Sequence, residues 1–208
     1  MNLTNLLLIE AFISLIIVLI LLLLKKRNDE PFSFREVNKN ATSLEQEIKT
    51  PTLNQLLESE KKAKKEGSGI ESKSLFGCWK FLSVWKQGID KEDSISSSLL
   101  RLFSASLIIS NTEINSNDSS FTVISSIEFG SLTLSFNGFG DLNGDQPLLI
   151  FFFENIELKL GSKNLFRRLI KTPDKRNKPF FALISMAKNG EWLAARGRGG
   201  GLALWLKD

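Results

Sequence analysis

The residues able to do chemistry are few and scattered. Cys78 is the only cysteine, and the chain has neither His nor Tyr. That excludes a disulfide framework, Cys/His zinc sites, and any triad or proton relay built on imidazole. Cys78 sits beside Trp79 in an apolar stretch without a basic cluster to lower its pKa, so it reads as a small interior hydrophobe rather than a nucleophile. Asp141, Asn143 and Asp145 fall in a glycine-rich stretch, but without the twelve-residue ligand spacing and closing Glu of a calcium loop; a hairpin loop is the simpler reading. Glu154 and Glu157 have no spacing that sets them apart from surface charges. Arg196-Gly197-Arg198-Gly199-Gly200 is a single copy between two apolar strands, where RNA-binding RGG boxes are repeated and disordered; it reads as a tight turn. The inventory predicts no enzyme, no cofactor and no metal.

The apolar residues say more. Leu6–Leu24 is a nineteen-residue hydrophobic run broken only by Glu10 and Ser14, and Lys25, Lys26 and Arg27 follow it at once. As a helix it spans roughly 28 Å, close to the ~30 Å bilayer interior. A cleaved signal peptide has its charge before the apolar run and a small-residue site after it, so residues 1–27 read as a retained anchor. The positive-inside rule then places the remainder on the cytoplasmic face. Glu10 either stays near the outer interface or marks a partner helix.

Without Glu10 and the three basic flanking residues the chain has 24 basic and 22 acidic groups. That near-neutrality argues against a nucleic-acid partner. Residues 28–74 are rich in Lys, Glu, Ser and Asn. Within them Thr50-Pro51 opens a helix carrying Leu53, Leu56 and Leu57, which runs through Glu58–Glu66 and stops at Gly67-Ser68-Gly69. The expectation is a partly helical spacer. Lys61, Lys62, Lys64 and Lys65 touching headgroups is the alternative, weakened by Glu58, Glu60 and Glu66.

At about residue 75 the composition changes: every Gly lies at or after Gly67 and all four Trp at or after Trp79. The period becomes two. Trp79, Phe81, Ser83 and Trp85 share a side; so do Phe121, Val123, Ile127 and Phe129, then Leu132, Leu134 and Phe136, with Ile156, Leu158, Leu160 and Leu202, Leu204, Leu206 behind them. Asn137-Gly138, Gly140–Gly144 and Lys188-Asn189-Gly190 are turn signals, and Leu148–Phe153 reads as a strand covered on both faces. Ser97–Phe103 and Asn164–Lys171 are the two helical candidates. Residues 75–208 are therefore expected to be all-β and antiparallel, a small closed barrel with a sandwich as second choice.

Gly77-Cys78-Trp79 resembles the G-x-W of the first strand of lipocalin-type barrels. Trp192–Lys207, with Arg196-Gly197 before a glycine turn and an apolar last strand, is similar to the closing hairpin of the plastid lipid-associated proteins, or fibrillins. The resemblance covers mainly residues 75–87 and 180–207. It implies a lipocalin-like barrel, no catalysis, and lipid or prenylquinone shelter at thylakoid membranes. An N-terminal anchor and a composition rich in Asn, Ile, Lys and Ser suit a cyanobacterial form. With first and last strands adjacent, Trp79 is expected beneath Arg196, and Gly77, Trp79, Arg196 and Gly197 close the barrel. The inward aromatic residues, Trp79, Phe81, Phe121, Phe129, Phe136, Phe151, Phe153 and Phe181, either fill the interior or line a cavity for an apolar ligand.

Three functions follow from this reading. One is a single-pass thylakoid or plasma-membrane protein that shelters a lipid, quinone or pigment. Another is an assembly subunit whose barrel docks on a membrane protein complex. The third, an enzyme of the bilin-lyase kind on a similar barrel, is disfavoured by the lack of His and Tyr.

Overall fold

The computed structural model describes residues 49–111, 120–145 and 147–208. The expected anchor at residues 1–27, Glu10 included, and the first part of the expected linker lie outside the described residues. Among the described residues no helix is long and apolar enough to cross a membrane. The segment Pro173–Asn177, with one 3-10 turn at Lys175–Asn177, groups apart from the compact unit described here.

The elements are helix α1 (Leu53–Glu66), helix α2 (Ser72–Leu75), strand β1 (Gly77–Trp85), helix α3 (Ser94–Leu102), then β2 (Ser106–Asn111), β3 (Ser120–Phe129), β4 (Leu132–Asn143), β5 (Leu148–Leu160), β6 (Lys163–Leu169), β7 (Phe180–Met186), β8 (Trp192–Gly197) and β9 (Leu202–Lys207). Every strand pairing is antiparallel. The order β4-β3-β2-β1-β9-β8-β7-β5 closes through a further β4–β5 pairing, so eight strands form a ring and β6 extends from the far half of β5. The first and last strands are neighbours, with Trp79 opposite Lys207 and Phe81 opposite Trp205. A ring of this kind leaves few free edges for unwanted pairing.

Side-chain alternation sorts two apolar layers. The inner one contains Trp79, Leu107, Ile109, Phe121, Val123, Leu149, Phe151, Leu183, Leu193, Ala195, Ala203 and Trp205. The outer one joins Leu82, Trp85, Ile184, Ala194, Leu202 and Leu204 to Leu56 of α1. The helix begins where expected. Thr52 caps it by accepting from the Gln55 backbone, Gln55 reciprocates, and Gly67 at φ 82° ends it. It is more than a spacer: Leu56 and Ala63 are buried, and the Leu56 side chain covers the outward faces of β7–β9.

Four local expectations are corrected. Trp85 does not share a face with Trp79, because a bulge between Phe81 and Ser83 shifts the alternation and turns Trp85 outward. Asn164–Lys171 is not a helix: Lys163–Leu169 is the strand β6, held by backbone pairing to β5. Gly138 and Gly140 lie inside β4, not in a turn, and the turn comes at Gly144–Asp145. At Gly138 a second bulge brings β5 so close that a Cβ would collide with the Phe152 carbonyl, which is why glycine stands in mid-strand. Finally, Leu148–Phe153 and Ile156–Leu160 are one continuous thirteen-residue strand.

Candidate functional site: the interior of the strand ring

Pairing registers bring most of the aromatic residues singled out from the sequence into one space. Trp79, Phe121 and Phe151 belong to the buried inner layer, and Phe81, Phe153 and Phe181 pack against it. Ring contacts run on without a break. Phe81 lies 4.9 Å from Trp205, Trp205 5.3 Å from Phe181, Phe181 5.1 Å from Phe151, Phe151 5.5 Å from Phe153, and Phe153 5.5 Å from Phe136. These separations are those of attractive offset and edge-on pairs. Phe129 stands apart, 5.6 Å from Phe103 at one end of the ring.

Trp205 is the residue that sequence reasoning passed over. The alternation of β9 was legible, but Leu202, Leu204 and Leu206 look like the inward set until α1 is known to cover them. The pairing with β1 decides the matter: Trp79 faces in, so its partner Lys207 and then Trp205 do too. Trp205 is 1% exposed, and its indole Nε1 has no hydrogen-bond partner among the described residues. Trp79 is equally buried, but its Nε1 donates to the Leu75 carbonyl at 2.7 Å.

The expected Trp79–Arg196 stack is replaced by two other contacts, again for reasons of parity. On β8 the residues Leu193 and Ala195 face in, so Arg196 faces out. There its Nε donates to Glu60 Oε1 of α1 at 2.6 Å, Nη2 donates to Oε2, and Nη1 donates to the Gly200 carbonyl at 2.6 Å. The cation over Trp79 is Lys207, its Nζ 5.2 Å from the ring. Gly77 makes room for that side chain, since a Cβ there would lie 2.7 Å from Lys207 Cε. Gly197 donates its backbone N–H to Gly201 across the β8–β9 turn at 2.8 Å.

The two ends of the ring differ. Near α2, Leu75 is fully buried, Ile70 and Phe76 join the inner layer, and Phe76 meets Phe121 edge-on at 6.3 Å. Towards the β3–β4 and β5–β6 turns burial is mixed: Leu134 and Ile156 are buried, Phe136, Phe153, Ile127, Phe129 and Leu158 are half-buried, and Leu160 is exposed. Those turns touch, Gly161 N–H donating to the Ser131 carbonyl at 2.7 Å. Helix α3, capped by Asp93, carries Ile95 and Leu99 and then Phe103 at i, i+4 and i+8 beside them. The inward side chains are thus fully buried at Leu75 and Trp79 and in part only half-buried towards the β3–β4 and β5–β6 turns.

Ionisable groups give the interior no obvious chemistry. Cys78, expected as an interior residue, alternates with the inward Trp79 and so faces out, half-buried; burial pushes its thiol up, which keeps it protonated. Among the described residues no group of three or more Cys, Asp or Glu could hold a metal. Asp141 accepts from Ser120 Oγ at 2.8 Å, a strand-to-strand bond. Outside the ring, a groove of 570 Å³ lies between the start of α1 and the β7–β8 turn, lined among others by Gln55, Lys62, Met186 and Trp192. It holds none of the aromatic set.

No protein-family model matches the chain, and no curated protein matches it.

Proposed function

We propose that the strand ring is a lipocalin-like barrel of the fibrillin kind, and that the chain is a non-catalytic, membrane-tethered protein sheltering an apolar ligand. The ligand class is a lipid, quinone or pigment, taken from a photosynthetic membrane on whose cytoplasmic side the ring is held by residues 1–27. One observation carries the reading: Leu75 and Trp79 are fully buried, whereas towards the β3–β4 and β5–β6 turns Phe136, Phe153, Ile127, Phe129 and Leu158 are only half-buried and Leu160 is exposed. A chain of methylenes entering there gains about 0.8 kcal/mol for each CH2 removed from water. The indole N–H of Trp205, without a hydrogen-bond partner among the described residues, supplies a buried donor suited to an ester or quinone carbonyl. The test is solvent extraction and mass spectrometry of the full chain purified from membranes in mild detergent. An apolar molecule in near-stoichiometric amount is expected; a folded, empty protein overturns the reading.

The unbroken run of ring contacts from Phe81 to Phe136 favours a second reading, a packed interaction module that docks on a membrane protein complex. Under that reading the chain co-purifies in a fixed complex, which is lost when residues 1–27 are exchanged for an unrelated anchor.

A further inference from the structure

We propose that the β5–β6 hairpin is a docking surface for an anionic lipid bilayer. This goes beyond ligand shelter and holds whether the ring carries a ligand or is filled by its own side chains. Every residue of β6 is exposed, and the apolar ones conspicuously so: Leu165 is 54% exposed, Phe166 41% and Leu169 78%, with Leu160 at 49% across the turn. Between residues 159 and 171 stand Lys159, Lys163, Arg167, Arg168 and Lys171 without a single acid. Glu157 engages Lys159 at 3.1 Å and Arg167 at 3.2 Å, whereas among the described residues no acid pairs with Lys163, Arg168 or Lys171. Exposed apolar side chains ringed by unpaired cations are the composition of an interfacial anchor, each cation near an anionic surface adding to the attraction.

The register identifies the occupant. Leu160 opposes Lys163, Leu158 opposes Phe166, and Ile156 opposes Arg168, so Lys163, Phe166 and Arg168 share one face. Asn155 opposes Leu169 and Glu157 opposes Arg167, which puts Leu169 on the other face; a bulge between Leu158 and Lys159 leaves Leu165 unopposed. Apolar residues thus emerge on both faces of one hairpin. A folded partner covers one face, whereas a fluid lipid interface surrounds both. A second copy is disfavoured by charge: pairing two β6 edges brings together two strands that each carry Lys163, Arg167 and Arg168 and no acid. The β3–β4 turn that touches the hairpin carries Phe129, which meets Phe103 just after α3, a helix whose Ile95 (76%) and Leu99 (41%) are exposed as well.

The test uses the full chain carrying Cys78→Ser and Leu165→Cys, labelled with an environment-sensitive fluorophore and reconstituted in phosphatidylcholine vesicles with or without phosphatidylglycerol. With the anionic lipid, the label is expected to shift to the blue and be quenched by nitroxide-bearing lipids. A label at Lys188→Cys, on the β7–β8 turn, stays in water. Adding Lys163→Gln and Arg168→Gln is expected to lower the docked-to-free ratio by about tenfold or more. Salt at 1 M, where the screening length falls to about 3 Å, does the same without any substitution. A label that remains in water with phosphatidylglycerol present, or whose shift ignores both the Gln pair and salt, overturns the proposal. So does burial that rises with protein concentration in the absence of lipid, which assigns the surface to a second copy. The lipid content of the purified chain is a separate measurement, so failure here and failure of the ligand reading are distinguishable.

Discussion

Arg196 of β8 grips Glu60 of α1 through two guanidinium nitrogens and ties the β8–β9 turn with the third, donating to Gly200. Glu60 is 6% exposed and has Lys64 Nζ at 2.9 Å as well. A buried carboxylate so placed locks the helix across the outer sheet face, and it is costly to leave either partner alone.

The hydrogen bonds from Arg196 hold the Glu60 carboxyl below the usual glutamate range, against a smaller opposing effect of burial. A carboxylate depressed in the folded state contributes stability above its unfolded pKa, about 4.3, and loses it as pH falls through the folded value. Chemical denaturation should therefore show wild type weakening steadily below about pH 5, with Glu60→Gln less stable at pH 7 but flatter over that acid range. Glu60→Ala, which strands Arg196, is expected to cost about 3 kcal/mol at pH 7. Equal acid sensitivity in wild type and the Gln variant would remove the ion pair from the stability account.

Trp79 and Trp205 offer a matched comparison. Both are buried to within 1%, yet only Trp79 has its indole N–H bonded. Replacing either by Phe removes the same volume, so the difference isolates the hydrogen bond. Trp79→Phe should destabilise by about 1–2 kcal/mol more than Trp205→Phe in urea melts. The reverse order would mean that the Trp205 donor is satisfied in solution.

Gly138 stands where the backbone does not accommodate a side chain, because a Cβ meets the Phe152 carbonyl at the β4–β5 bulge. Gly138→Ala should cost about 2–3 kcal/mol, in the range of strained or overpacked sites. Gly130→Ala, at φ 58° with open space around it, costs only about 1 kcal/mol by backbone strain. Melting temperatures of the two variants decide between them, and equal shifts would deny the bulge its role.

Much of the strand pattern was written in the sequence because half-buried strands alternate visibly: Phe121–Phe129, Leu132–Phe136 and Leu202–Leu206 all lie in strands. The pairing of first and last strands was legible too. Face assignment was harder. Helix α1 covers the outside of β9, so both its faces are apolar and Trp205 could not be told from Leu204. A bulge at Phe81–Ser83 reverses parity without a compositional mark, and Leu165, Phe166 and Leu169 of β6 imitate a helical stripe. The partner of Arg196 is hidden for the same reason: Glu60 sits 136 residues away in a helix whose sequence reads as a spacer.

The claim that the ring interior admits an apolar ligand is tested most directly by titrating the detergent-solubilised full chain with a short-chain benzoquinone and following tryptophan emission. Trp79, Trp85, Trp192 and Trp205 all contribute to that emission. The account predicts saturable quenching, with the saturable part abolished in Trp205→Phe while Trp85→Phe retains it. Quenching that is linear in quinone, or identical in the Trp205→Phe chain, would contradict it.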